Sequence, residues 1–142
     1  HSRFVHFEFF RLTEAKAGLG AVGDYVGLEV NMRPAGGYTT DMTNFAHSTD
    51  VYEIWADMIT ANRRLLPDCG VHCCCAYAGR RDFHRYAHTH EEILSRYADS
   101  IVMCERLPEV MWPQMGNQMY MAKLRDQEKT DAFIRFVQER MK

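Results

Sequence analysis

Apolar and polar residues alternate in two early stretches of the chain. In residues 4–10, Val5, Phe7 and Phe9 fall on one side, while His6 and Glu8 fall on the other between Phe4 and Phe10. In residues 26–33, Val26, Leu28, Val30 and Met32 share a side, and Gly27, Glu29, Asn31 and Arg33 share the opposite one. Successive side chains of a strand point to opposite faces, so each stretch predicts a strand with one apolar and one polar face. If the two pair as neighbours with their apolar faces on a common core, Glu8, Glu29, Asn31 and Arg33 project together from the other side.

Further along, the period lengthens to that of a helix. Thr40 and Asp41 can cap a short helical stretch through Ala46. Asp50, with Glu53 three positions on, precedes Val51, Ile54, Trp55, Met58 and Ile59 at helical spacing. This predicts a helix running to about Leu66 and stopped by Pro67, with Arg63 and Arg64 in its last turns, where the helix dipole favours cations.

The turn cluster Pro67-Asp68-Cys69-Gly70 divides the chain into residues 1–66 and 67–142. In the second part, residues 71–78 read as a strand with Val71, Cys73, Cys75 and Tyr77 on one face and His72, Cys74 and Ala76 on the other. A turn at residues 79–82 and a short strand at 83–87 follow. Thr89 and Glu92 form a capping box for a helix through Ala98. Strands at 100–107 and 117–124 flank a loop rich in Met and Trp, and residues 128–141 form an amphipathic helix using Ala132, Phe133, Phe136 and Val137. The order of elements predicts an α+β fold, a mostly antiparallel sheet covered on one side by helices.

Composition narrows the function classes. Seventeen basic and 19 acidic residues give a formal charge of −2, and 46% of the chain is hydrophobic. That balance argues against a disordered chain or a nucleic-acid-binding one. No apolar run approaches the roughly 18 residues of a transmembrane helix, and no basic-then-apolar signal opens the chain, so a cytoplasmic protein without a membrane partner is expected. The chain starts with His1-Ser2 rather than methionine, which fits a tag remnant on a fragment of a longer protein. Five cysteines, three of them consecutive at Cys73-Cys74-Cys75, are expected as reduced thiols, because neighbours on a strand point apart.

The polar face of the first two strands carries the candidate chemistry. Two carboxylates and an amide oxygen suit Mg²⁺, which prefers oxygen ligands and is commonly completed by substrate phosphates. Arg33 offers a forked donor to a phosphate or carboxylate, and Gly36-Gly37 permits close backbone approach or positive φ. Taken alone, Glu-x-Asn-x-Arg on a strand is an ordinary solvated face. A second carboxylate on an upstream strand of matching polarity shifts the reading towards a site.

The runs His6-Phe7-Glu8-Phe9 and Leu28-Glu29-Val30-Asn31-Met32-Arg33-Pro34, with Gly36-Gly37 behind, resemble the metal-binding end of the ATP-grasp superfamily. The likeness is closest to its biotin-carboxylase and carboxylate–amine ligase branches. It implies that residues 1–66 are the C-terminal part of an ATP-grasp domain, with Mg²⁺ (or Mn²⁺) and ATP as cofactors. Glu8 and Glu29 would be acidic metal ligands and Asn31 the third. Arg33 would be the catalytic side chain steadying transferred phosphate or acyl phosphate. The activity implied is a ligase that activates a carboxylate as acyl phosphate and passes it to an amine or similar nucleophile. Its partners would be those two small molecules and the remainder of the ATP-grasp chain.

Residues 13–24 lengthen the hairpin between the two carboxylates. A weaker likeness joins residues 71–82 to the C-terminal subdomain of biotin carboxylases, where a strand beginning with His returns beside the active site. Tyr77 stands where that family has an arginine, with Arg80 and Arg81 close by. The adenine cleft, the phosphate-covering loop and a lysine pair lie upstream in that family and outside these 142 residues, so no turnover is expected from this chain alone. The rival expectation is a non-catalytic binding or assembly module built on the same half-fold.

Other constellations weigh less. His72, the cysteine trio, His84, His88 and His90 lack the paired spacing of structural zinc ligands. No base neighbours a cysteine in a way that would activate it as a nucleophile. Met111, Trp112 and Met115 read first as core filler and second as cover for a binding surface or another subunit.

Overall fold

The alternating residues at the start of the chain form β1 (His6–Arg11) and β2 (Tyr25–Asn31), which pair antiparallel as a two-stranded ribbon. This computed structural model describes residues 3–70 and 72–141; His1, Ser2 and Val71, which figured in the sequence reading, lie outside the described residues. Two antiparallel sheets and five α-helices make the described chain an α+β protein. It divides into two units, the first taking residues up to Thr40 with Asp50–Pro67, the second taking Asp41–Thr49 with the chain from Asp68 onward.

In the first unit the register pairs His6 with Asn31, Phe7 with Val30 and Glu8 with Glu29. It then shifts, so that Phe9 faces Gly27 and Leu28 is the extra residue of a bulge. The connection is tied at its base by Leu12 N–H donating to Asp24 O at 2.9 Å and Gly23 N–H to Leu12 O at 2.8 Å. Gly37, with φ of 59°, adopts the left-handed conformation expected of the glycine pair.

The ribbon's apolar side was expected in a core, and it lies in solvent instead. Phe7, Phe9, Val30 and Met32 are 55%, 57%, 62% and 65% exposed. His6 and Glu8, on the other side of β1, are the half-buried residues. Alternation fixes which residues share a side, but not which side the rest of the chain covers. The described residues leave the aromatic one open.

α1 (Thr39–His47) and α2 (Val51–Thr60) follow. The Asp50 carboxylate caps α2, accepting from Tyr52 N–H at 2.9 Å and Glu53 N–H at 3.1 Å. Val51, Ile54 and Met58 are buried, whereas Trp55 and Ile59 are exposed. The helix ends at Thr60, six residues before the expected Leu66. Asn62 turns the chain with φ of 56°, and Asp57 Oδ2 accepts from the amides of Leu65 and Leu66 at 2.9 and 3.1 Å. Arg63 and Arg64 therefore stand past the helix, not in its last turns.

The second unit is built on β3 (Cys74–Arg80), β4 (Ile101–Arg106) and β5 (Gln118–Leu124), ordered β3-β5-β4 with β5 central. α3 (His90–Arg96), α4 (Trp112–Met115) and α5 (Gln127–Gln138) complete it. Thr89 and Glu92 form the expected reciprocal cap on α3. Ala76, Ala78, Tyr120, Ala122 and Leu124 from the sheet bury against Ile93 of α3 and Phe133 and Val137 of α5.

On the sheet's other side, Met119 and Met121 are fully buried, and Tyr77 Oη donates to Met115 O at 2.9 Å. The Met and Trp loop is not irregular but a 3₁₀ turn (Glu109–Met111) running into α4. A Cβ at Gly79 would meet Met115 O at 2.2 Å, so only glycine admits this approach. The expected strand at 83–87 is absent among the described residues; Tyr86 alone bridges to Arg140. Among the described residues that stretch has no partner strand to pair with.

Candidate functional site

Direct opposition across an antiparallel pair places Cβ atoms about 5 Å apart on one face, which is where the register sets Glu8 and Glu29. Asn31 lies two residues along β2 on the same side, opposite His6. Asn31 Nδ2 donates to Glu29 Oε1 at 2.6 Å. An ionised carboxylate only accepts, so the amide nitrogen must be the donor and the Asn31 oxygen keeps its lone pairs for another partner. His6 Nε2 lies 3.4 Å from Glu8 Oε1, and His6 Nδ1 is buried without a partner.

Glu8, Glu29 and the Asn31 oxygen thus share one strand face, and a hard divalent cation suits oxygen donors of this kind. The donor chemistry fits Mg²⁺ or Mn²⁺. Arg33 is placed differently from the rest. β2 ends at Asn31, and Arg33 sits in the bend beyond it, exposed, with Nη1 donating to Pro34 O at 2.9 Å. Strand geometry therefore aims the two carboxylates and the amide, but not the guanidinium.

The other chemistry-bearing residues disperse. His47 and His72 approach Nδ1 to Nδ1 at 2.7 Å, and His88 pairs with Glu139 at 3.1 Å while stacking on Phe136. His90 Nδ1 meets Tyr120 Oη at 2.8 Å. Among the described residues no three His, Cys, Asp or Glu side chains converge as a metal group. The five cysteines are reduced thiols. Burial, then the neighbouring Cys73, pushes the Cys75 thiol up to about 11, and burial raises Cys104 as well, the opposite of an activated nucleophile.

A cluster that the sequence reading had divided between a turn and a strand end lies in the second unit. Arg80, Gln118 and Arg106 form one row across β3, β5 and β4. Arg80 was read as part of a turn, yet it is the last residue of β3 and is buried. The only signal for it was its register one step beyond the Ala76–Ala78 core face.

The fold and the oxygen-donor face define an α+β protein with a candidate divalent-cation centre. Comparison with protein-family models gives no match, and comparisons with curated proteins and with solved structures give none either. No helix of the described residues is long and apolar enough to cross a membrane.

Proposed function

We propose that β1 and β2 carry the metal-binding face of an ATP- and Mg²⁺-dependent ligase of the ATP-grasp type. Such an enzyme activates a small carboxylate as its acyl phosphate, transfers it to an amine or similar nucleophile, and here would work in the cytoplasm. The observation that supports this reading above all is the Glu8–Glu29 register with Asn31 beside it. Glu8, Glu29 and the Asn31 oxygen would hold the cation, which when bound neutralises phosphate charge. His6 restrains the Glu8 carboxylate, and Asn31 orients that of Glu29 through its amide N–H. Arg33 gives Nη1 to the Pro34 carbonyl, and its other N–H groups would be the donors to a phosphate.

Manganese titration tests the assignment, because bound Mn²⁺ broadens nearby amide resonances. Saturable broadening centred on Glu8, Glu29 and Asn31, weakened about tenfold or more in Glu29→Gln, is the expected result. Broadening centred elsewhere, or unchanged in that variant, overturns it. Magnesium and ATP added to this chain alone should release no ADP at steady state.

The exposed row Phe7, Phe9, Val30 and Met32 favours a second reading, a binding or assembly module. Under it, Glu29→Gln leaves partner binding intact and polar substitution of Phe9 abolishes it.

A further inference from the structure

At the end of the second unit's sheet, the row Arg80, Gln118 and Arg106 opens onto a cleft of about 420 Å³. Arg81, His84 and the rings of Tyr86 and Tyr120 also border it. Arg80 is the built part of this cleft. It is only 8% exposed; its Nε donates to Val137 O at 2.6 Å and its Nη1 to His88 O at 2.7 Å. Its guanidinium lies 4.4 Å from the centre of the Tyr86 ring and 5.9 Å from that of Tyr120. Nη2 is buried with no hydrogen-bond partner. An unpaired buried donor on a cation is costly, and a fold that holds one so firmly needs a compensating group.

The charges around Arg80 do not supply it. Arg81 gives Nη1 to Trp112 O at 2.8 Å and Nη2 to Pro113 O at 2.9 Å, which satisfies N–H groups but neutralises nothing. Arg106 is matched by Asp82, with Nη1 to Oδ1 at 2.6 Å and a second bond from Nη2 to Oδ2. Three guanidinium groups and one carboxylate border the cleft, leaving two positive charges with no carboxylate to match them. The His84 pKa is pushed down, first by burial and then by the charges of Arg140 and Arg81. Near neutral pH a phosphate group carries about −1.5 to −2 charge and several strong acceptor oxygens, whereas a carboxylate carries one charge.

We propose that this cleft is a phosphate-binding site, with Arg80 and Arg81 as its cationic floor and Tyr86 at its side. The cleft is larger than a phosphate ion, which leaves room for the organic part of a phosphorylated small molecule. The same chemistry also takes free phosphate. The site lies wholly within the second unit and does not depend on the metal reading of β1 and β2.

Titration of the 142-residue chain with inorganic phosphate, and separately with phenyl phosphate, tests it, ionic strength being held constant with sodium chloride. Backbone amide resonances of Arg80, Arg81, Asp82, Gln118 and Tyr120 are the readout. Saturable shifts confined to these residues are expected, weakened about tenfold or more in Arg81→Gln. Tighter binding of phenyl phosphate assigns the site to a phosphomonoester, and equal or weaker binding to the free ion. Arg80→Gln is the sharper variant but removes two buried bonds and can unfold the unit. Arg81→Gln, checked for a dispersed spectrum, carries the test without it. Non-saturating shifts, unaltered affinity in Arg81→Gln, or equal saturation by acetate overturns the proposal.

Discussion

Glu8 and Glu29 stand directly opposite each other across β1 and β2, with Asn31 Nδ2 fixed to Glu29 at 2.6 Å. Like charges directly opposite on a ribbon repel, and that repulsion is what a bound cation would relieve. Glu8→Gln should therefore stabilise the metal-free chain by about 0.5 kcal/mol while weakening Mn²⁺ binding. Thermal unfolding with and without the metal measures both signs. A variant that is destabilised without metal places Glu8 in a structural role.

Gly79 and Gly27 should differ sharply in their response to alanine. A Cβ at Gly79 meets the Met115 carbonyl at 2.2 Å, whereas at Gly27 nothing lies within 4 Å. Backbone cannot move aside as a side-chain tip can, so Gly79→Ala should cost about 2 kcal/mol or more in urea unfolding, with Gly27→Ala within about 0.5 kcal/mol of the parent.

The Asp82 carboxyl is held below the ordinary aspartate range, first by its hydrogen bonds from Arg106 and then by that residue's charge. A depressed folded-state pKa stabilises the fold above the unfolded value of about 3.9, and the contribution is lost as pH falls through the folded value. A carboxyl NMR titration should place the Asp82 midpoint below that of a model aspartate and return it upward in Arg106→Gln. Both side chains are about half exposed, at 53% and 52%, so the effect on overall stability is small and sensitive to salt.

Thiol reactivity should follow burial. Cys69 is exposed, whereas Cys75 is held at about 11 and Cys104 is also raised. At pH 8 a disulfide reagent should modify Cys69 first and leave Cys75 and Cys104 until the chain is unfolded, as mass spectrometry of time points would record.

Locally encoded features were legible in the sequence, and features that need a distant partner were not. Asp50 and Thr89 cap α2 and α3 as their spacing predicts, because each cap closes within three residues. The end of α2 was misread because the Asp57 side chain captures amides eight and nine residues on, which no local pattern displays. Residues 83–87 read as a short strand, yet strand formation depends on a partner, and among the described residues of that stretch only Tyr86 forms a bridge. At the candidate site, period two placed Glu8, Glu29 and Asn31 on one face, while Arg33 escaped because the strand stops before reaching it. The burial of Arg80 showed only in its alternation with Ala76 and Ala78, since its partners Val137 and His88 lie elsewhere in the chain.

The outward-turned row of Phe7, Phe9, Val30 and Met32 makes the ribbon tolerant and adhesive at once. A serine in place of Phe9 sacrifices little packing, because that ring already stands mostly in water. The same change should raise the concentration at which the purified chain stays monodisperse, giving a handle for preparing samples that leaves Glu8 and Glu29 untouched.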